Sequence, residues 1–261
     1  MVIDGKVALI TGASEGIGAA TAEEFQRRGA RLSLAARSGD KLAAVGGPDA
    51  VRTAGDLRDP EVRRRAVEAT LEKFGRVDIL VNNAGVGMYA PLWRAPIGEI
   101  RRMFELNVLA AVSMAQHVVE PMKRQGGGML VNVSSIAGLV PLPWFTLYSG
   151  TKFALCAIGD GLRTELKPFG IRVVTICPGY VRTRFQQNVL IGKPPAALQR
   201  VRRWTISPEQ CATAIAGGVE REPRTVIAPG SGRVLALAWR LFPGIIDSQL
   251  ERIYRTLDIA E

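Results

Sequence analysis

Apolar positions along this chain follow two alternating rhythms. Short unbroken apolar runs alternate with longer segments whose apolar residues recur every three or four positions. KVALIT (6–11) predicts a strand buried on both faces, and Glu15 to Arg28 predicts a helix closed by Gly29. RLSLAA (31–36) predicts the next strand. A weak helix from Asp40 towards Val45 and a short strand near Val51 follow. Asp59 to Phe74 reads as a charged amphipathic helix, VDILVNN (77–83) as a strand and Ile97 to Gln125 as a long helix. MLVNVSS (129–135) and IRVVTIC (171–177) predict strands flanking a helix from Leu147 to Phe169, and TVIAP (225–229) predicts the last strand. Strand and crossover helix in alternation give an α/β fold, a doubly wound parallel sheet with helices on both faces. No linker, repeat or low-complexity segment divides residues 1–261, so one domain is expected, with a loop at 185–205 and a C-terminal helical extension at 230–261.

The composition changes this picture little. With 261 residues, 47% hydrophobic and 22% charged, the chain can bury a large core. Residues 1–10 read as a lead-in to a strand, no apolar run reaches membrane-spanning length, and a cytoplasmic location is expected. Cys156, Cys177 and Cys211 lie far apart, match no metal spacing and suit a reducing compartment. The net charge of +10 is scattered, with local groups at Arg63–Arg65 and Arg200–Arg203, and no nucleic-acid-binding signature accompanies it. Nucleic acid is not an expected partner. His117, the single histidine, sits within the long helix and reads as a helix-packing or subunit-contact residue.

Chemistry first shows at TGASEGIG (11–18), where a strand ends and a helix begins. A helix N-terminus carries unpaired N–H groups and partial positive charge, and glycines let backbone approach a pyrophosphate closely. Gly12, Gly16 and Gly18 supply that freedom with the spacing G-x-x-x-G-x-G. Near the end of the second strand an acid would bond ribose hydroxyls and select NAD. Here Ala36-Arg37-Ser38 stands instead, a guanidinium and a hydroxyl suited to a 2′-phosphate, which predicts NADP(H).

YSGTK then puts Tyr148 and Lys152 four residues apart, on one helix face. A nearby ammonium favours phenolate and is expected to lower the tyrosine pKa, giving a general acid/base. VNVSS (131–135) places Ser135 thirteen positions before Tyr148. Its neighbour Ser134 should point to the opposite side of the strand.

TGASEGIG, NNAG (82–85), Asn107, Ser135, YSGTK and Pro178-Gly179 follow the order and spacing of the classical short-chain dehydrogenase/reductase (SDR) family, which the chain resembles closely over about residues 5–185. The resemblance implies a Rossmann-type domain in a homodimer or homotetramer, with no metal. It implies that Tyr148 moves the hydroxyl proton and Ser135 polarises the substrate oxygen. Lys152 would hold the nicotinamide ribose, and Asn107 would anchor a proton-relay water. Cofactor contacts implied by the resemblance are Gly12, Ser14, Glu15, Gly16, Ile17, Gly18, Asp56, Leu57, Asn83, Ala84, Gly85, Pro178, Gly179, Val181 and Thr183, beside Arg37, Ser38, Tyr148 and Lys152.

Segments after Asn83-Ala84-Gly85, Ser135 and Pro178-Gly179 should line the substrate pocket. Their residues are mostly apolar or aromatic, among them Met88, Trp144, Phe145, Tyr180 and Phe185, which suits a hydrophobic ketone, aldehyde or secondary alcohol. Arg184, Lys193, Arg200, Arg202 and Arg203 in the following loop offer a basic rim for an anionic handle, the basis of an alternative reading as a 3-oxoacyl or fatty-acyl thioester reductase. A non-catalytic NADP(H)-binding sensor or scaffold is a second alternative, opposed by the intact Asn107, Ser135, Tyr148 and Lys152. The C-terminus departs from ketoacyl reductases of the family and looks more like a branch acting on lipid-like or steroid-like substrates. Trp239, Leu241, Phe242, Ile245 and Ile246 beside Arg233 and Arg240 either cover the pocket or a neighbouring subunit, or make peripheral membrane contact.

Overall fold

The computed structural model describes residues 1–193 and 205–255. Seven parallel strands form one sheet: β1 (Val7–Thr11), β2 (Arg31–Ala36), β3 (Val51–Ala54), β4 (Ile79–Asn82), β5 (Gly128–Val133), β6 (Ile171–Pro178) and β7 (Thr225–Ala228), in the order β3-β2-β1-β4-β5-β6-β7. β1, β4 and β5 are buried at every position, as their unbroken apolar runs require. The strand order reverses between β1 and β4, whose register pairs Ala8 with Ile79 and Ile10 with Val81. A crevice at the carboxyl ends of the strands opens at that reversal.

Helices cover both faces. α1 (Gly16–Arg27) and α7 (Pro208–Arg221) bury Ala22, Phe25, Ile215 and Val219 against Ala8, Ile10, Val131 and Val174. α3 (Pro60–Phe74) and α5 (Ala110–Arg124) bury Val62, Ala66, Met114 and Val118 against Leu9, Leu80 and Leu130 on the opposite face. Local sequence sets the helix ends. Asp59 accepts from the Glu61 N–H and Pro60 opens α3, which Gly75 closes at φ 72°. Ser207 and Gln210 form a capping box on α7.

The other helices are α2 (Gly39–Ala43), α4 (Ile97–Phe104), α6 (Thr146–Glu165), α8 (Gly232–Leu241) and α9 (Pro243–Arg255). The long helix expected over 97–125 is not uniform: Glu105–Leu109 forms a π turn between α4 and α5. The helix expected to Phe169 ends as α-helix at Glu165, and a 3₁₀ turn continues over Lys167–Phe169. Both C-terminal extension helices are present.

Candidate active site

The glycine turn is packed to its limit. Gly12 and Gly16 have φ of 65° and 60°, a region that side chains rarely adopt. A Cβ on Gly12 would lie 2.9 Å from Ala84 Cα, and one on Gly18 would lie 2.2 Å from the Gly12 carbonyl oxygen. Both positions admit only glycine. α1 begins without a side-chain cap, so its first N–H groups face the crevice unclaimed by any side chain. Asn83 ties this turn to β4 by donating to the Thr11 carbonyl at 2.9 Å and the Gly12 carbonyl at 3.2 Å. A Cβ on Gly16 would come within 3.2 Å of Thr183 Cγ2, and Thr183 in turn accepts from the Phe185 N–H. The expected contacts from 12–18, 83–85 and 181–183 therefore share one crevice.

At the end of β2, Arg37 and Ser38 are both exposed. Asp56, beyond β3, is gripped by Arg58 at 2.6 Å. The Arg58 hydrogen bond holds the Asp56 carboxyl below its ordinary range, with a smaller pull from Arg37. Leu57 beside it is buried. Sequence reading missed Arg58, although its position two residues after Asp56 on a strand-end loop was a usable signal. Glu15 is bridged to Lys41 at 2.8 Å and to Asn188 at 2.6 Å, which ties the glycine turn to the segment after β6.

Ser135, Tyr148 and Lys152 meet at the carboxyl end of β5. Ser135 stands two residues beyond β5, which stops at Val133 and not at the expected residue 135. Its hydroxyl accepts from the Ala137 N–H at 3.1 Å and donates to the Pro178 carbonyl at 3.5 Å, and it acts on the Tyr148 phenol. Ser134 points elsewhere, donating to the Lys152 carbonyl at 2.8 Å, as strand alternation requires. Lys152 Nζ donates to the Val133 carbonyl at 3.0 Å and lies 5.5 Å from the Tyr148 ring centroid. Asn107, fully buried in the π turn, accepts from the Val86 N–H at 2.8 Å and donates to the Val86 carbonyl and to Thr151. Thr151 was not foreseen; it lies between Tyr148 and Lys152 in sequence and fixes Asn107 from that side. A Cβ on Gly85 would sit 3.5 Å from Lys152 Nζ, so the 83–85 loop and the lysine share one wall.

The electrostatics depart from expectation. Burial raises the Tyr148 pKa above its ordinary value, and the Ser135 hydroxyl only partly offsets this. Burial also depresses Lys152, to about 8. Tyr148 and Lys152 are 7% and 3% exposed, and desolvation is the largest influence on each group. The phenol is thus held in its protonated form.

An aromatic wall closes the site. Tyr89 stacks on Phe145 at 4.4 Å, Phe145 on Tyr148 at 4.1 Å, and Phe185 tilts against Tyr148 at 5.7 Å. Trp144 stands at φ 62°, a strained conformation for a bulky residue, and its carbonyl accepts from the Ala90 N–H at 3.0 Å. That kink aims Phe145 at the tyrosine. Met88 is buried in the same cluster, and Tyr180 is half-buried after β6. The basic-rim residues Arg200, Arg202 and Arg203 lie outside the described residues.

Far apart in sequence, Cys156 and Cys177 nonetheless touch, with sulfurs 3.9 Å apart, and Cys156 lies 3.3 Å from the Ser134 hydroxyl. The Cys177 hydrogen bond brings the Cys156 thiol down to about 7. His117 is exposed on α5, away from this chemistry. No cluster of metal-ligating side chains occurs among the described residues.

Comparison with known proteins accords with this geometry. A family model described as short chain dehydrogenase matches residues 6–193. The chain belongs to the short-chain dehydrogenase family. An uncharacterized oxidoreductase of Thermotoga maritima is 38% identical over 186 residues, 69% of this chain and 73% of its own. A short-chain dehydrogenase/reductase from Burkholderia phymatum, solved with NAD, superposes with a TM-score of 0.84 at 25% identity, covering 95% of this chain and 96% of that one. A short-chain dehydrogenase from Burkholderia cenocepacia, solved with NADP, gives 0.82 at 27% identity over 96% of this chain and 99% of that one. As a short-chain dehydrogenase the chain is an oxidoreductase. Its glycine turn, uncapped α1 and close-packed 83–85 loop fit a nicotinamide dinucleotide on their own stereochemistry.

Proposed function

We propose that this short-chain dehydrogenase is an NADP(H)-dependent carbonyl reductase acting on a hydrophobic ketone or aldehyde, with Tyr148 as the general acid. The observation that carries the reading is the convergence of Ser135, the buried Tyr148 and the buried Lys152 at one end of the sheet, with Tyr148 inside an apolar, aromatic enclosure. A protonated phenol suits proton donation to a carbonyl oxygen, so reduction is the favoured direction. Ser135 orients that oxygen by donating its hydroxyl. Lys152, close beneath the tyrosine, would hold the ribose hydroxyls and supply positive charge as the phenol gives up its proton. Asn107, pinned by Val86 and Thr151, keeps the π turn in place behind the lysine. When bound, the cofactor supplies the hydride. Gly12, Gly16, Gly18, Asn83, Ala84, Gly85, Val181 and Thr183 would line its length, with Asp56 and Leu57 at the adenine.

Arg37 supports NADP(H), since no carboxylate ends β2 to repel a 2′-phosphate, and Arg58 neutralises the nearby Asp56. The test is a pair of NADPH and NADH titrations, read through Trp144 beside the site, followed by Tyr148→Phe. NADPH should bind at least about ten-fold tighter than NADH. The variant should keep NADPH affinity within a few-fold and lose turnover of apolar ketones by about 10²–10⁴-fold. Full activity in that variant would overturn the mechanism, and tighter NADH binding would overturn the cofactor assignment.

A further inference from the structure

Half of the large apolar side chains exposed among the described residues lie within one short stretch: Val234, Leu235, Leu237, Leu241, Phe242 and Ile245, between 41% and 72% exposed. None of the side chains of α8 is buried. Helical spacing of three and four puts Val234, Leu237 and Leu241 on one face of α8. Trp239 faces the body of the protein, where it meets Phe153 edge to ring at 6.3 Å. The outward stripe is therefore contiguous, and Phe242 and Ile245 extend it across the short joint into α9. So large an apolar patch marks a docking surface.

We infer that this face of α8 and the α8–α9 joint docks on the surface of an anionic lipid bilayer. Charge selects that occupant. Arg233 and Arg240, both exposed, each precede a residue of the apolar stripe and border it along one side. Neither forms an ion pair among the described residues, whereas Arg224 is paired with Asp160. The acids of α9 do not oppose the contact. Asp247 and Glu251 lie about 200° and 240° around the helix from Ile245, on its far side. A second copy fits less well. A two-fold pairing through this stripe would bring the same arginines together on a chain already at +10. The insertion is shallow, since no described helix is long and apolar enough to cross a membrane. The patch also adjoins the site: α8 begins at Gly232, where an added Cβ would lie 3.2 Å from Ile136, the residue after Ser135. An apolar carbonyl dissolved in the bilayer would then reach Tyr148 by a short path, a clause that rests on the proposed reductase function. The docking itself does not.

Vesicle co-sedimentation of the full chain tests the docking without any turnover. Wild type should sediment with vesicles of phosphatidylcholine and phosphatidylglycerol, and weakly with phosphatidylcholine alone. Arg233→Gln with Arg240→Gln should weaken binding to the anionic vesicles by about thirty-fold. Leu237→Glu with Leu241→Glu should weaken it by at least about ten-fold, with the circular dichroism spectrum and NADPH affinity unchanged. Negligible sedimentation of wild type with anionic vesicles would overturn the inference. So would a leucine variant that halves the mass in solution while vesicle binding stays the same, since the face would then be covered by a second copy. Vesicle binding in a chain that reduces no ketone would leave the docking standing and remove only the reductase reading.

Discussion

The Phe145 ring lies against the Tyr148 ring at 4.1 Å between centroids and 26° between planes. The residue proposed to move the proton is thus roofed by an aromatic side chain. Phe145 itself is 8% exposed and backed by Tyr89. Shortening it to leucine opens space without stripping the cluster of apolar bulk, at a stability cost of about 1–3 kcal/mol from the cavity left behind. Phe145→Leu should raise kcat/KM for a fused bicyclic ketone relative to a straight-chain one by about ten-fold. An unchanged ratio would show that the roof does not gate the pocket.

The two neighbouring serines have separate duties. Ser135→Ala removes the hydroxyl proposed to orient the substrate oxygen and should lower kcat by about 10²-fold or more. Ser134→Ala removes a bond to the Lys152 carbonyl and should cost about 1 kcal/mol in urea unfolding, with kcat within a few-fold of wild type. The reverse pattern of kcat losses would reassign the catalytic hydroxyl.

At the adenine end, Arg37→Asp should lower the NADPH-to-NADH affinity ratio by at least about ten-fold, because a carboxylate repels the 2′-phosphate. Arg58→Ala acts less directly. It releases Asp56 to compete for Arg37, and should lower NADPH affinity by about three-fold while leaving NADH nearly unchanged. Equal losses for both dinucleotides would mean that Arg58 serves the fold of the loop instead.

Lys152 ties stability to pH. Its folded-state pKa is held down to about 8, against 10.5 for the free side chain. Between those values the unfolded chain binds a proton that the folded chain has released, so this group's contribution to stability rises with pH. The gain is lost as pH falls back through 8, below which a buried charge costs about 3 kcal/mol. Lys152→Met should therefore be more stable than wild type near neutral pH, with the difference shrinking towards about pH 10. Urea denaturation across that range reads it directly. A constant difference would show that the ammonium is not desolvated.

The sheet and the grouping of the candidate site residues were legible because each rested on a local rule. Unbroken apolar runs gave the strands, and the four-residue interval gave Tyr148 and Lys152 a common helix face. Strand alternation separated Ser135 from Ser134. What stayed hidden depends on three-dimensional neighbours. The Cys156–Cys177 contact joins α6 to β6 and has no signature in spacing. The left-handed Trp144 carries no glycine or asparagine to announce it. The direction of the Tyr148 shift was misjudged because the attraction of a nearby ammonium is visible in a sequence, whereas the depth of burial is not.

The π turn at Glu105–Leu109 has a consequence for how this site can change. An extra residue in that turn rotates α4 by about 100° relative to the phase that an unbroken helix would give it. Met103 is thereby turned into the aromatic cluster around Tyr148, while Met114 and Val118 remain in the sheet's own packing. One rod thus answers to two independent sets of neighbours. Substitutions on α4 can remodel the chamber above the tyrosine while the foundation beneath β4 and β5 stays as it is, so novelty in what the pocket accepts need not come at the expense of folding.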